Sequence, residues 1–146
     1  MVEPDFTQTI RDAYAGKDPA APAIELGAGV HDGAVAPEAA VRIPLSMMNR
    51  HGLVAGATGT GKTKTLQGIA EQLSANGVSV VVADMKGDLS GLAVAGEGGG
   101  PAEKRMADLG RPFAPAGFPV EYLSLGGIGP GVPVRMTLSD FGPQLL

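Results

Sequence analysis

The 146-residue sequence contains no cysteine and no tryptophan, and aromatic residues make up only 4% of it. Without thiols there is no disulfide, no cysteine nucleophile and no cysteine-ligated zinc, which fits a reducing compartment. The two Tyr and four Phe are scattered and do not cluster as a base-stacking platform. No stretch has the length and apolar continuity of a membrane span. Glu3 and Asp5 stand where a secretory leader would be basic, so a cytoplasmic location without membrane attachment is the expectation. An excess of positive charge is lacking as well. Residues 1–50 hold seven acids and four bases, residues 51–90 three of each, and residues 91–146 five and four, for a net charge of −4. No segment carries the basic footprint of an autonomous nucleic-acid module.

What is present suits one domain of ordinary size. Leu, Val, Ile and Phe make up about 24% of the chain, above the roughly 20% below which chains tend to stay disordered. The 23 Gly and 12 Pro approach the share at which low-complexity segments become common, which predicts a folded part with loose ends.

Phe6, Ile10, Ala13 and Tyr14 recur at helical spacing between Asp5, a candidate N-cap, and Gly16, a candidate C′ residue. That pattern predicts a short amphipathic helix over residues 5–15. From Lys17 to Ala40 the text is Ala, Pro, Gly and Asp, with one short strand candidate at Ile24–Leu26; it reads as a surface segment in which a lone hairpin would be marginal. Residues 1–40 therefore form a helix and loop-rich segment ahead of a domain covering 41–146. Val41-Arg42-Ile43-Pro44-Leu45 alternates, but Pro44 confines it to an edge or a strand end.

Gly52-Leu53-Val54-Ala55 is a continuous apolar run of the kind that forms a strand buried on both faces. Leu66, Ile69, Ala70 and Leu73 then predict a helix over 62–75, closed by Asn76-Gly77, and Val78–Ala83 is a second β-branched run. Strand, turn, helix and strand make one βαβ unit with a right-handed crossover, hence a parallel sheet. Beyond Ser90 the signal fades. Residues 93–100 read as a loop, Pro101–Leu109 as a helix with Pro at N1 and Gly110 beyond it, and Val120–Leu125 and Val132–Leu138 as weaker strands.

The turn between the first run and the helix carries the chemistry. Gly56-Ala57-Thr58-Gly59-Thr60-Gly61-Lys62-Thr63 fits G-x-x-x-x-G-K-[ST], a phosphate-binding loop. Glycines let the backbone curl so that successive N–H groups face one concavity, and the following helix points its positive end there. Lys62 would reach the β- and γ-phosphates, and the Thr63 hydroxyl would coordinate the bridging Mg²⁺. At this chain's own composition the bare pattern would arise by chance only on the order of 0.01 times. The nucleotide-binding set is Gly56, Thr58, Gly59, Thr60, Gly61, Lys62, Thr63 and Lys64, although Lys64 lies on the exposed side of the helix and reads as solvated.

Asp84 and His51 are secondary candidates. Asp84 ends the second run, on the rim where α/β sheets bind ligands; the competing reading is that Asp84 or Asp88 caps a turn or helix. Asp84-Met85-Lys86-Gly87 also satisfies D-x-x-G, the GTPase magnesium motif. Only a helix and a turn separate Lys62 from Asp84, however, and no N-K-x-D guanine motif occurs. His51 and Arg50 precede the first run, where a structural hydrogen bond from His51 and a solvated Arg50 are the simpler readings.

The stretch Asn49–Thr63, followed by Ala83-Asp84-Met85-Lys86-Gly87-Asp88-Leu89-Ser90-Gly91-Leu92, resembles the HerA/FtsK superfamily of P-loop ATPases. It is most similar to the HerA-like bacterial family known as DUF853, the YjgR-like proteins, in its N-terminal portion. The similarity is strongest over residues 41–92. The resemblance implies a three-layer α/β/α P-loop fold with a parallel sheet, ATP and Mg²⁺ as ligands, a homo-hexameric ring and ATP-driven movement of double-stranded DNA. The family also needs an Asp-Glu pair after a hydrophobic strand, one acid for magnesium and one for the attacking water. Beyond Gly91 no such pair is found. The chain thus reads as the N-terminal piece of a longer protein that binds a nucleoside triphosphate without hydrolysing it usefully alone, and no catalytic residue is assigned. A small P-loop kinase or GTPase, and a non-catalytic nucleotide-binding module, are the alternatives.

Overall fold

The computed structural model describes residues 5–14, 18 and 20–135. Along the chain come α1 (Phe6–Tyr14), β1 (Ala23–His31), β2 (Ala34–Pro44), a 3₁₀ turn at Leu45–Met47, α2 (Lys62–Ala75), a 3₁₀ turn at Ser90–Ala93, α3 (Pro101–Asp108), β3 (Leu123–Leu125) and β4 (Val132–Val134). The protein is α/β, with an antiparallel β1–β2 sheet and a parallel β3–β4 pair.

The segment expected to be surface loop is instead the best-packed part. Asp32 and Gly33 both take positive φ, 49° and 78°, and His31 pairs with Ala34 across them. This is the two-residue turn whose twist suits a hairpin. The ladder shifts register between Ala28 and Gly29, and the extra β2 residues of that bulge include Pro37, which cannot donate to a ladder. Ile24 and Ala39 are fully buried. α1 packs on the hairpin through Phe6. A Cβ on Gly29 would lie 2.9 Å from the Phe6 ring, so only glycine admits the helix this close. Phe6 also meets the His31 ring at a centroid distance of 4.9 Å, and Arg11 Nε donates to Glu38 O at 3.0 Å. Asp5 accepts the Thr7 N–H, as its candidate N-cap role requires; Gly16 lies outside the described residues. β2 also runs across the expected boundary between residues 40 and 41, so both sides of it share one hairpin.

α2 spans the expected residues. It closes with Val78 N–H donating to Leu73 O and Gly77 N–H to Ser74 O, the paired bonds of a Schellman motif. α3 ends the same way, with Arg111 N–H on Met106 O and Gly110 N–H on Ala107 O.

The two apolar runs beside α2 differ from expectation. Neither Gly52–Ala55 nor Val78–Ala83 forms a strand, and no ladder joins them. Leu53 is 90% and Val81 95% exposed. A run of this composition becomes a strand only when neighbours saturate its backbone on both edges, and the described residues supply none. The late candidates shrink to β3 and β4, three residues each, and the part of Val132–Leu138 beyond Arg135 lies outside the described residues.

Candidate functional site

The glycine-rich turn opens directly onto α2. Gly59 has φ 81° and Gly61 φ 96°, so the chain reverses into the left-handed region twice before the helix begins. Gly61 is the N-cap residue, and no side chain caps the helix. The leading N–H groups of α2 are therefore left without an intrahelical or side-chain acceptor, as a ready anion site requires. Thr65 N–H is the first to find a helical acceptor, at Gly61 O, 2.9 Å away.

Ala57 O organises the interior of the turn. Lys62 Nζ donates to it at 2.7 Å and Thr60 Oγ1 at 2.8 Å. Lys62 is thereby folded back over the loop, its ammonium held where the curl closes. Gly56 sits under this arrangement: a Cβ there would lie 2.5 Å from Thr60 Oγ1 and 3.7 Å from Lys62 Cγ. Thr58, Gly59 and Thr60 are exposed and Thr63 is half-buried. Lys64 is exposed and its charge reaches Glu71, two turns along α2, where it opposes the upward pull of burial on that carboxyl. The ligand chemistry of the turn is thus a row of backbone donors, one ammonium and hydroxyls. This set fits a polyphosphate, with Thr63 able to give a Mg²⁺ ion one oxygen while water and phosphate complete its shell. Among the described residues no group of three or more His, Asp or Glu gathers as a metal cage.

Asp84 caps its own loop. Oδ1 accepts from Lys86 N–H at 3.1 Å and Gly87 N–H at 2.9 Å, and Oδ2 from Leu89 N–H at 2.8 Å. These bonds, led by that from Leu89, hold its pKa below the ordinary aspartate value. The capped loop then docks on α2, where Gln67 Nε2 donates to Asp88 O at 3.1 Å. His51 is exposed and makes no hydrogen bond among the described residues, so the bond expected at a strand start is absent along with the strand.

A groove of about 230 Å³ runs between α2 and its flanks, lined by Leu66, Ile69 and Ala70, by Val80–Val82, and by Leu89 and Leu92. Its lining is hydrocarbon, so it has nothing to offer a phosphate.

One cluster had no sequence signal. Glu25 N–H donates to Gln72 Oε1 at 2.7 Å while Gln72 Nε2 donates to Glu25 O at 2.9 Å. The Glu25 carboxylate pairs with Arg111. These partners lie 47 and 86 residues apart, beyond the reach of any local pattern.

Together these features define an α/β chain whose glycine-rich turn presents backbone donors and a lysine at a helix N-terminus. Residues 31–146, most of the chain, match the family described as helicase HerA-like, C-terminal, and the protein belongs to that family. The family description names a C-terminal region, whereas the sequence resemblance pointed to an N-terminal portion. Comparison with the curated proteins and with solved structures gives no match. Among the described residues no helix is long and apolar enough to cross a membrane.

Proposed function

We propose that this protein binds a nucleoside triphosphate, as its magnesium complex, in the turn Gly56–Thr63, as part of a HerA-like ATPase of the DUF853 type. The observation that carries the reading is the uncapped N-terminus of α2 behind a doubly left-handed glycine turn, with Lys62 folded onto Ala57 O. Backbone N–H groups take the β-phosphate oxygens, Lys62 exchanges Ala57 O for the β- and γ-phosphates, and Thr63 ligates Mg²⁺. ATP is preferred on the family resemblance, because the turn touches phosphate and no base. In the same reading the runs Gly52–Ala55 and Val78–Ala83 are the positions of parallel strands in a three-layer α/β/α fold. The assembly is a cytoplasmic homo-hexamer acting on double-stranded DNA, and this chain supplies its phosphate-holding part.

Calorimetry of the full chain with Mg²⁺ and a non-hydrolysable ATP analogue tests the site. Binding that is lost in Lys62→Ala is the expected result; a wild-type chain that is folded and silent overturns the reading. Steady-state hydrolysis by this chain alone, abolished by Lys62→Ala, would instead show that the missing Asp-Glu pair is dispensable.

A further inference from the structure

We propose that Gln72, Glu25 and Arg111 form a clamp through which occupancy of the phosphate loop stiffens the β1–β2 hairpin; the proposal rests on the triphosphate reading of the Gly56–Thr63 turn. Gln72 lies ten residues beyond Lys62 on the same helix, about 15 Å along its axis. Its amide grips one residue twice, accepting the Glu25 N–H and donating to the Glu25 O. That is the bonding of one ladder rung, supplied by a side chain. It falls where the β1 ladder shifts register between Glu25 and Gly27, a site at which strand pairing is locally interrupted. A bidentate contact of this kind tolerates little sliding or rotation of α2, since either motion lengthens both bonds.

The same residue passes the constraint onward. The Glu25 carboxylate binds Arg111, in an ion pair whose side chains are only 22% and 31% exposed, and the Arg111 N–H in turn closes α3 on Met106 O at 2.9 Å. The hairpin, α2 and the residue that closes α3 are thus hydrogen-bonded at Glu25. At the other end of α2, Lys62 Nζ donates to Ala57 O and no side chain caps the leading helical N–H groups. A bound polyphosphate gives those groups acceptors and fixes the first turn. A helix ordered at one end and gripped at the other transmits that ordering to what it grips, and linkage makes the effect reciprocal: whatever steadies the hairpin tightens the loop's hold on its ligand.

The test follows amide exchange over residues 23–44 in the full chain, with and without Mg²⁺ and a non-hydrolysable ATP analogue at a saturation set by calorimetry. In ligand-free protein, Gln72→Leu is expected to speed exchange at the Glu25 N–H roughly tenfold, the scale of one lost intramolecular hydrogen bond. Unchanged protection there means the clamp does not exist in solution. In wild type the analogue should slow hairpin exchange by about three- to tenfold. In Gln72→Leu that response should vanish while the analogue still binds, its calorimetric affinity falling by no more than the wild-type response of about three- to tenfold, and Arg111→Gln should lose part of the response. Should Gln72→Leu lose its helical circular dichroism, Gln72→Glu, which keeps the acceptor and removes the donor, carries the same test. Wild type that binds without any hairpin response, or a variant that responds fully, overturns the clamp and leaves the loop reading standing. A wild-type chain that shows no calorimetric binding overturns both.

Discussion

Ile24 and Leu53 are both aliphatic residues in runs that suit a strand, yet the first is fully buried and the second 90% exposed. The hairpin finds its pairing partner across a two-residue turn, so the entropic cost of closing the loop is small, and α1 and α2 cover it. The runs on either side of α2 have the composition of parallel strands, which need non-adjacent neighbours reached by crossovers. Within the described residues they do not pair with each other. The difference separates two kinds of order. The hairpin holds itself, while the glycine-rich turn is held by α2, and α2 is tied to the rest by the amides of Gln67 and Gln72 as much as by its apolar face.

The contrast breaks if the two halves respond alike to truncation. Ile24→Ala is expected to lower unfolding stability by about 2–5 kcal/mol, as for a buried aliphatic residue that leaves a cavity. Leu53→Ala and Val81→Ala should each stay within about 0.5 kcal/mol, as at exposed sites. Chemical denaturation of the three variants decides it, and a Val81→Ala cost equal to that of Ile24→Ala would mean that the exposed runs are paired in solution.

Next in size is a change inside the turn. Gly56→Ala places a methyl group 2.5 Å from Thr60 Oγ1, a clash of the kind that costs about 1–3 kcal/mol. Nucleotide affinity should fall roughly tenfold or more. Removing the hydroxyl as well, in Gly56→Ala/Thr60→Ala, leaves the nearest remaining Thr60 carbon 3.6 Å away and should recover most of the loss. Affinity that is equally poor in the double variant would place the cause in the backbone of Gly56 and not in Thr60.

These expectations also mark what could be read in advance. α2 spans the residues its local signals name and α3 stops one residue before the expected Leu109, which becomes its C-cap, because a glycine two places past the last helical residue and, in α3, a proline at the first are decided within a few residues. The motif Gly56–Thr63 is legible as a pattern for the same reason, since its glycines, lysine and threonine are contiguous. The hairpin is less legible, although Asp32-Gly33 between Val30 and Val35 is a strong short-range hairpin signal. Gly27, Gly29 and Pro37 hid it, each tolerated at a bulge or a close approach that strand patterning does not anticipate. The Gln72–Glu25–Arg111 cluster was illegible in principle, being a product of three-dimensional packing between distant segments.

A smaller effect separates the loop at Asp84 from the turn it faces in sequence. Its folded pKa is depressed by the amides of Leu89, Lys86, Gly87 and Asp88. The ionised side chain therefore favours the folded loop at pH values above the unfolded aspartate value of about 3.9, and that contribution is lost as pH falls through the lower folded value. Amide shifts of Lys86, Gly87 and Leu89 should titrate together below about pH 4 in wild type and stay flat in Asp84→Asn. A carboxyl that titrates at the ordinary position would remove the cap from the account of this loop.

The smallest expected effect sits on α2 itself, between the two regions. Burial raises the Glu71 pKa and the Lys64 charge partly offsets it. Between the ordinary glutamate value and the raised folded one the native state holds more proton than the unfolded chain, so stability falls as pH rises through that window and the penalty is complete above it. Glu71→Gln should therefore raise Tm slightly at pH 7 and have no such benefit once the pH lies below the unfolded value. Lys64→Ala should enlarge the benefit, because it removes the charge that was helping Glu71 ionise. If Lys64 also turns toward bound phosphate, its hold on Glu71 weakens when the turn is filled, and the Glu71 carboxyl should titrate higher in the presence of a non-hydrolysable nucleotide than in its absence. An unchanged titration would keep Lys64 on the solvated face of α2 and leave Lys62 as the cation of the turn that answers to the ligand.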